Sequence, residues 1–208
     1  MAKHAKLSIH PLTVRTRRAY FDGTFGQLHV RTAFPATGGF DEGVTLICLH
    51  HCEDTSRSFA RFLPEIADDR SVYAPDLPGF GESDPAPAVN YTDSAVAVDD
   101  LAKDLRLRQI DVLGLRFGAG VALELAASRP ELVRRLVLVG PPPIESLPVI
   151  QHECLVMRIK LGAADDNTHW AKAKLPKANM LDVTDYAADL FDAAPKTLAK
   201  QIRNFLKP

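Results

Sequence analysis

The stretch Gly114-Leu115-Arg116-Phe117-Gly118 constrains this chain more than any other. It follows an apolar run, Ile110-Asp111-Val112-Leu113, and opens a helical pattern over residues 118–127 that stops at Arg129-Pro130. A strand that turns at once into a helix must pass backbone close to backbone, and glycines at both ends of a five-residue turn leave that room. The central residue of that turn is Arg116. A guanidinium stays protonated at any pH a folded protein meets and has no lone pair to attack with. Residue 116 is therefore no nucleophile.

Around this turn, strand and helix signals alternate, the pattern of a mostly parallel sheet covered by helices on both faces. Residues 17–21 and 27–34 read as two strands joined through Asp22-Gly23, an antiparallel hairpin at one edge. The run 44–49 is continuously apolar, as expected of a strand buried on both sides, and it ends in His50-His51-Cys52. A helix carries Phe59, Phe62, Leu63 and Ile66 on one face, with Ser56 or Ser58 as its N-cap. Residues 71–74 form a short strand leading into a loop of turn formers. After Thr92 a helix presents Val98, Leu101, Ala102 and Leu105, with Asp93, Asp99 and Asp100 toward its N-terminal half, where the helix dipole favours them. Beyond the Arg116 turn come strands over 133–139, 155–159 and 178–183, a short helix over 170–175, and a closing helix with Leu198, Ile202 and Phe205.

The 208 residues support one large core, so a single domain over 1–208 is expected, with 1–16 as an N-terminal extension. A formal charge of -1 gives no field to draw nucleic acid or an acidic membrane. No apolar run approaches the ~18 residues of a membrane span. The expected setting is cytoplasmic. Three cysteines, Cys48, Cys52 and Cys154, cannot all pair and show no metal-ligand spacing, so free thiols, no metal site and no cofactor are expected. A homo- or hetero-oligomer stays open.

Four motifs in order resemble the α/β-hydrolase superfamily. The turn at Arg116 matches its G-x-S-x-G nucleophile elbow with arginine in place of serine. Residues 76–84, Asp76-Leu77-Pro78-Gly79-Phe80-Gly81-Glu82-Ser83-Asp84, resemble the family's D-x-P-G-x-G-x-S-D loop, and His50-His51-Cys52 falls where the family has its H-G-x oxyanion strap. Gly162-Ala163-Ala164-Asp165-Asp166-Asn167-Thr168 matches the turn that supplies the triad acid, with Asp165 as the matching aspartate. The resemblance implies an α/β-hydrolase fold with a mostly parallel central sheet. Only residues 140–153 separate the sixth and seventh strands, where typical members insert a cap, so a capless protein with an open, shallow cleft is expected. In the family register the catalytic histidine falls on Ala188.

With Arg116 and Ala188 at those positions, no catalytic residue is assigned. The candidate ligand-binding residues are Arg116, Phe117, His50, His51, Cys52 and Asp165. Arg116 beside a helix N-terminus calls for an anion, supplied either by Asp165 as an internal ion pair or by a ligand carboxylate or phosphate. His50 is expected to tie the strap by hydrogen bonds, and Asp76 to serve turn and packing. Trp170 is expected to pack inward. The favoured function is a non-catalytic binder of a small molecule, an anion or a protein. Its alternatives are a hydrolase or lyase that uses His51, Cys52 or Asp165 without a serine, and a structural subunit of an active hydrolase.

Overall fold

Residues 14–36, 43–159, 168–183 and 190–207 are described in a computed structural model. The strands are β1 (Arg15–Gly23), β2 (Gly26–Phe34), β3 (Leu46–Leu49), β4 (Val72–Pro75), β5 (Ile110–Leu115), β6 (Val133–Val139), β7 (Glu153–Ile159) and β8 (Ala178–Val183). They form one eight-stranded sheet in the order β1-β2-β4-β3-β5-β6-β7-β8. The expected hairpin is β1 with β2. Strand β2 also runs antiparallel to β4, and the remaining pairs are parallel.

The helices are α1 (Leu63–Ile66), α2 (Tyr91–Asp104), α3 (Phe117–Ser128), α4 (Thr168–Lys174), α5 (Leu190–Ala193) and α6 (Pro195–Leu206). Successive strand residues face opposite ways, so Ile47 and Leu49 of β3 join a core layer with α2 and α3, while Leu46 and Cys48 join the layer under α1, α5 and α6. Leu136 and Leu138 divide from Val137 and Val139 of β6 in the same way. Both faces are covered, which is why residues 46–49 of β3 and 136–139 of β6 read as apolar runs.

Three local expectations are corrected. The helix expected through Phe59 and Ile66 is broken into a 3₁₀ turn, Ser56–Phe59, and the short α1. Pro64 has no N–H for a helix continuing from residue 60, and it sits comfortably only in the first turn of a new one. The N-cap is Thr55, whose hydroxyl accepts from the Arg57 N–H at 3.2 Å, rather than Ser56 or Ser58. Finally, Asp99 and Asp100 lie in the second half of α2, where side-chain partners replace the dipole. Asp99 pairs with Lys103 at 2.8 Å and with Arg129, and Asp100 accepts from the Thr24 hydroxyl at 2.6 Å.

Between β6 and β7, residues 140–152 contain neither helix nor strand, so no cap domain is inserted there. The segment is tied down instead. Leu147 and Ile150 are buried, and Lys174 at the end of α4 donates to the carbonyls of Glu145 (2.8 Å) and Leu147 (2.5 Å). Among the described residues no helix is long and apolar enough to cross a membrane.

The chain leaves β3 toward β4 on one side and returns through β5 on the other. The connections diverge at the carboxyl ends of β3 and β5, the place where open α/β sheets hold ligands. His51 follows β3, Arg116 follows β5, and the register sets Leu49 opposite Gly114.

Candidate functional site

The turn at Arg116 is a fully formed elbow. The Arg116 N–H donates to the Val139 carbonyl at 2.8 Å, extending the pairing of β5 with β6, and its own carbonyl accepts from Ala119 N–H at 3.0 Å to start α3. Between these bonds the residue takes φ 49° and ψ -103°. A non-glycine residue in that region costs about 1–3 kcal/mol and persists only where the surroundings over-determine it. They do so here. A Cβ on Gly118 would stand 2.2 Å from the Leu49 carbonyl oxygen, and one on Gly114 would stand 2.3 Å from that of Gly118.

Among the described residues Arg116 makes no ion pair with a carboxylate. The expected pairing with Asp165, and the register that puts Ala188 at the histidine position, both fall outside the described residues.

His50 ties the strap as expected. Its Nε2 accepts from the Leu77 N–H at 2.8 Å, so its Nδ1 carries the proton and donates to the His51 carbonyl at 2.7 Å. Both nitrogens are satisfied only in the neutral ring. Burial accordingly holds the His50 imidazole below its ordinary pKa. Phe80 meets the ring edge-on at 5.4 Å.

His51 turns the other way, into the cleft. The backbone N–H of Phe117, first residue of α3, points at His51 Nδ1 across 3.4 Å. Only a deprotonated Nδ1 can accept it. Partial burial depresses the His51 pKa, and the Arg116 charge acts in the same direction.

His51, Cys52, Arg116 and Phe117 line a cavity of about 380 Å³. Its other walls are largely apolar: Tyr91 of α2, Pro141 and Pro142, Val156 and Ile159 of β7, and Trp170 of α4. Gly140, Pro141, Pro142 and α4 bound one side of this cleft, which stays partly open to solvent. Tyr91 and Phe117 pack ring on ring at 4.9 Å. Trp170 packs against the core as expected, and it also faces the cavity. Arg158 of β7 lines the cavity and pairs with Asp182 of β8. All three cysteines are free. The Cys52 thiol is pushed up in pKa by burial and then by Glu53, so it stays protonated near neutrality.

Tyr91, Arg158 and Trp170 were not among the sequence candidates. The signal that could have found Arg158 is a charge at the carboxyl end of an apolar strand, the same end of the sheet that carries Arg116.

The family model described as alpha/beta hydrolase fold matches residues 44–189, and the chain belongs to that family. It is 43% identical over 94 residues to a 2-hydroxymuconate semialdehyde hydrolase of Pseudomonas sp. (strain CF600), an overlap of 43% of this chain and 32% of that protein. Over 96 residues it is 31% identical to the uncharacterized hydrolase YugF of Bacillus subtilis (strain 168), covering 45% of this chain and 35% of that one. The matched stretches span about a third of the length of these relatives. Among solved structures, the naproxen esterase (carboxylesterase NP) of Bacillus subtilis superposes with a TM-score of 0.78 at 15% identity, covering 93% of this chain and 92% of that one. A thermophilic esterase from Thermogutta terrifontis gives 0.75 at 16% identity, with 91% and 98% covered. At these identities the likeness is one of fold.

Proposed function

We propose that this chain is a non-catalytic member of its family that binds a small organic anion in the cavity over Arg116. The observation that carries the reading is a guanidinium held at the tip of an intact elbow, in a cavity whose described lining is mostly apolar and also includes Arg158, itself paired with Asp182. The anionic group sits against Arg116 and the N-terminal end of α3, whose dipole favours negative charge. The apolar body lies along Tyr91, Pro142, Ile159 and Trp170. A volume of about 380 Å³ suits one small ligand.

The absence of serine at residue 116, together with alanine at the family's histidine position, supports binding without acyl transfer. A thiol route through Cys52 is disfavoured because the neutral thiol is a poor nucleophile. The similarity to a 2-hydroxymuconate semialdehyde hydrolase supports a small-molecule cleft.

Trp170 is the chain's single tryptophan, so its fluorescence reports the cavity directly. Titration with benzoate and with inorganic phosphate is expected to give saturable quenching in the wild type and a loss of affinity of at least about tenfold in Arg116→Met. No response to either anion, or equal binding by Arg116→Met, overturns the reading.

A further inference from the structure

We infer that the His51 imidazole is a built-in, displaceable occupant of the anion position, and that a ligand's anionic oxygen takes its place on the Phe117 N–H with uptake of a proton. This rests on the cavity being an anion site, and it adds the regulation of that site.

The geometry is that of a stand-in. The Phe117 N–H is the first amide of α3, aimed at the spot beside Arg116 where an anion would lie, and Nδ1 of His51 fills that spot from 3.4 Å. An N–H···N contact of this length is weak, and the ring is only half-buried, so little holds it there. The strap beneath it stays fixed independently, since the His51 carbonyl accepts from His50 Nδ1 at 2.7 Å and from the Asp54 N–H at 3.2 Å. The side chain can swing out without moving the backbone.

Protonation decides which state is held. A neutral imidazole accepts the amide proton. An imidazolium carries hydrogen on both nitrogens, so it cannot accept, and the Phe117 N–H is released to another acceptor. The released ring then adds its positive charge to that of Arg116. An anion beside it stabilises the imidazolium, so binding takes up one proton and the affinity rises as pH falls. Among the described residues, the charged and titratable groups around His51 are Arg116 from the elbow, Glu53, Asp54, Cys52 and His50 from the strap, Tyr91 from α2 and Arg158 from β7. Arg116 opposes protonation, whereas Glu53 and Asp54 favour it. His50 cannot supply the effect, because both its nitrogens are engaged away from the cavity.

The ligand class follows. The position needs an acceptor without hydrogens on the contacting atom, carried on an apolar body that reaches Trp170. This describes an aromatic or short aliphatic monocarboxylate or sulfonate.

The test uses benzenesulfonate, which stays ionised throughout, read by Trp170 fluorescence from about pH 8 to about pH 5.5. Wild type is expected to bind about three- to tenfold more tightly at the acid end. His51→Ala is expected to bind more tightly than wild type at the alkaline end, since nothing must be displaced, and to show a flattened pH profile. A flat wild-type profile, or His51→Ala binding no more tightly at alkaline pH, overturns the gate and leaves the anion site standing. If neither protein binds benzenesulfonate or benzoate at any pH, the site itself falls and the gate with it.

Discussion

Nδ1 of His29 lies 2.8 Å from Oδ2 of Asp76, with both side chains almost wholly buried. The pair resembles the base and acid of a catalytic site, yet neither residue lines the cavity. Asp76 also accepts from the backbone N–H groups of Ser56 (2.7 Å) and Glu82 (3.0 Å), and Ser83 Oγ donates to its carbonyl at 2.6 Å. One carboxylate thus joins β2, the 3₁₀ turn and the loop after β4. Its role is turn chemistry.

Asp76→Asn is therefore expected to lower unfolding stability by about 2–4 kcal/mol, since it leaves buried donors without their charged acceptor. Burial acts to raise the Asp76 pKa, but hydrogen bonds from Ser56, Glu82 and His29 outweigh it and hold the value below the ordinary one. A carboxyl depressed in the folded state contributes stability above its unfolded pKa and loses it as pH falls through the folded value. Urea melts of wild type and Asp76→Asn should converge in strong acid. A constant difference down to about pH 2 would contradict this account.

His50 has a linkage of the same sign, set at higher pH. The unfolded chain takes up a proton near about pH 6.5 that the buried, fully bonded ring resists, so stability should decline as pH drops below that value. His50→Asn is expected to be about 1–3 kcal/mol less stable at neutral pH but to lose less between about pH 7 and pH 5. Chemical denaturation across that range measures both. Equal slopes in the two proteins would place the proton uptake elsewhere.

At the elbow, a fluorophosphonate probe should label neither wild type nor Arg116→Ser, and p-nitrophenyl esters should turn over at background rates with both. Triad members act as a unit, so a lone hydroxyl gains little. Arg116→Ser combined with Ala188→His should exceed the single variant by at least about a hundredfold if the register at residue 188 is right. Robust esterase activity in Arg116→Ser alone would reveal another base in the cleft, with His51 as the first candidate.

Much of the architecture could be read from the sequence because its signals are local. The apolar runs 46–49 of β3, 136–139 of β6 and 154–157 of β7 need two covered faces, and Gly114 and Gly118 bracket a turn that admits no side chain at either end. The break before α1 was legible in principle from Pro64 but was masked by the spacing of Phe59, Phe62, Leu63 and Ile66. The site was legible only in part. Arg116, Cys52 and His51 are visible because they follow strands, whereas the contact of His51 with Phe117 spans 66 positions and depends on the pairing of Leu49 with Gly114. Trp170 and Arg158 enter the cavity through the packing of α4 and β7, which no periodicity encodes. Asp165 and Ala188 stand outside the described residues and keep the status of expectations.

The backbone of residue 116 keeps φ 49° and ψ -103° while carrying an arginine. The neighbouring glycines and the Val139 carbonyl enforce that shape, and none of them touches the side chain's chemistry. The elbow is thus a socket whose form is independent of its insert. In a chain built this way, reactivity at the tip can be exchanged for recognition, and exchanged back, without the sheet registering the difference.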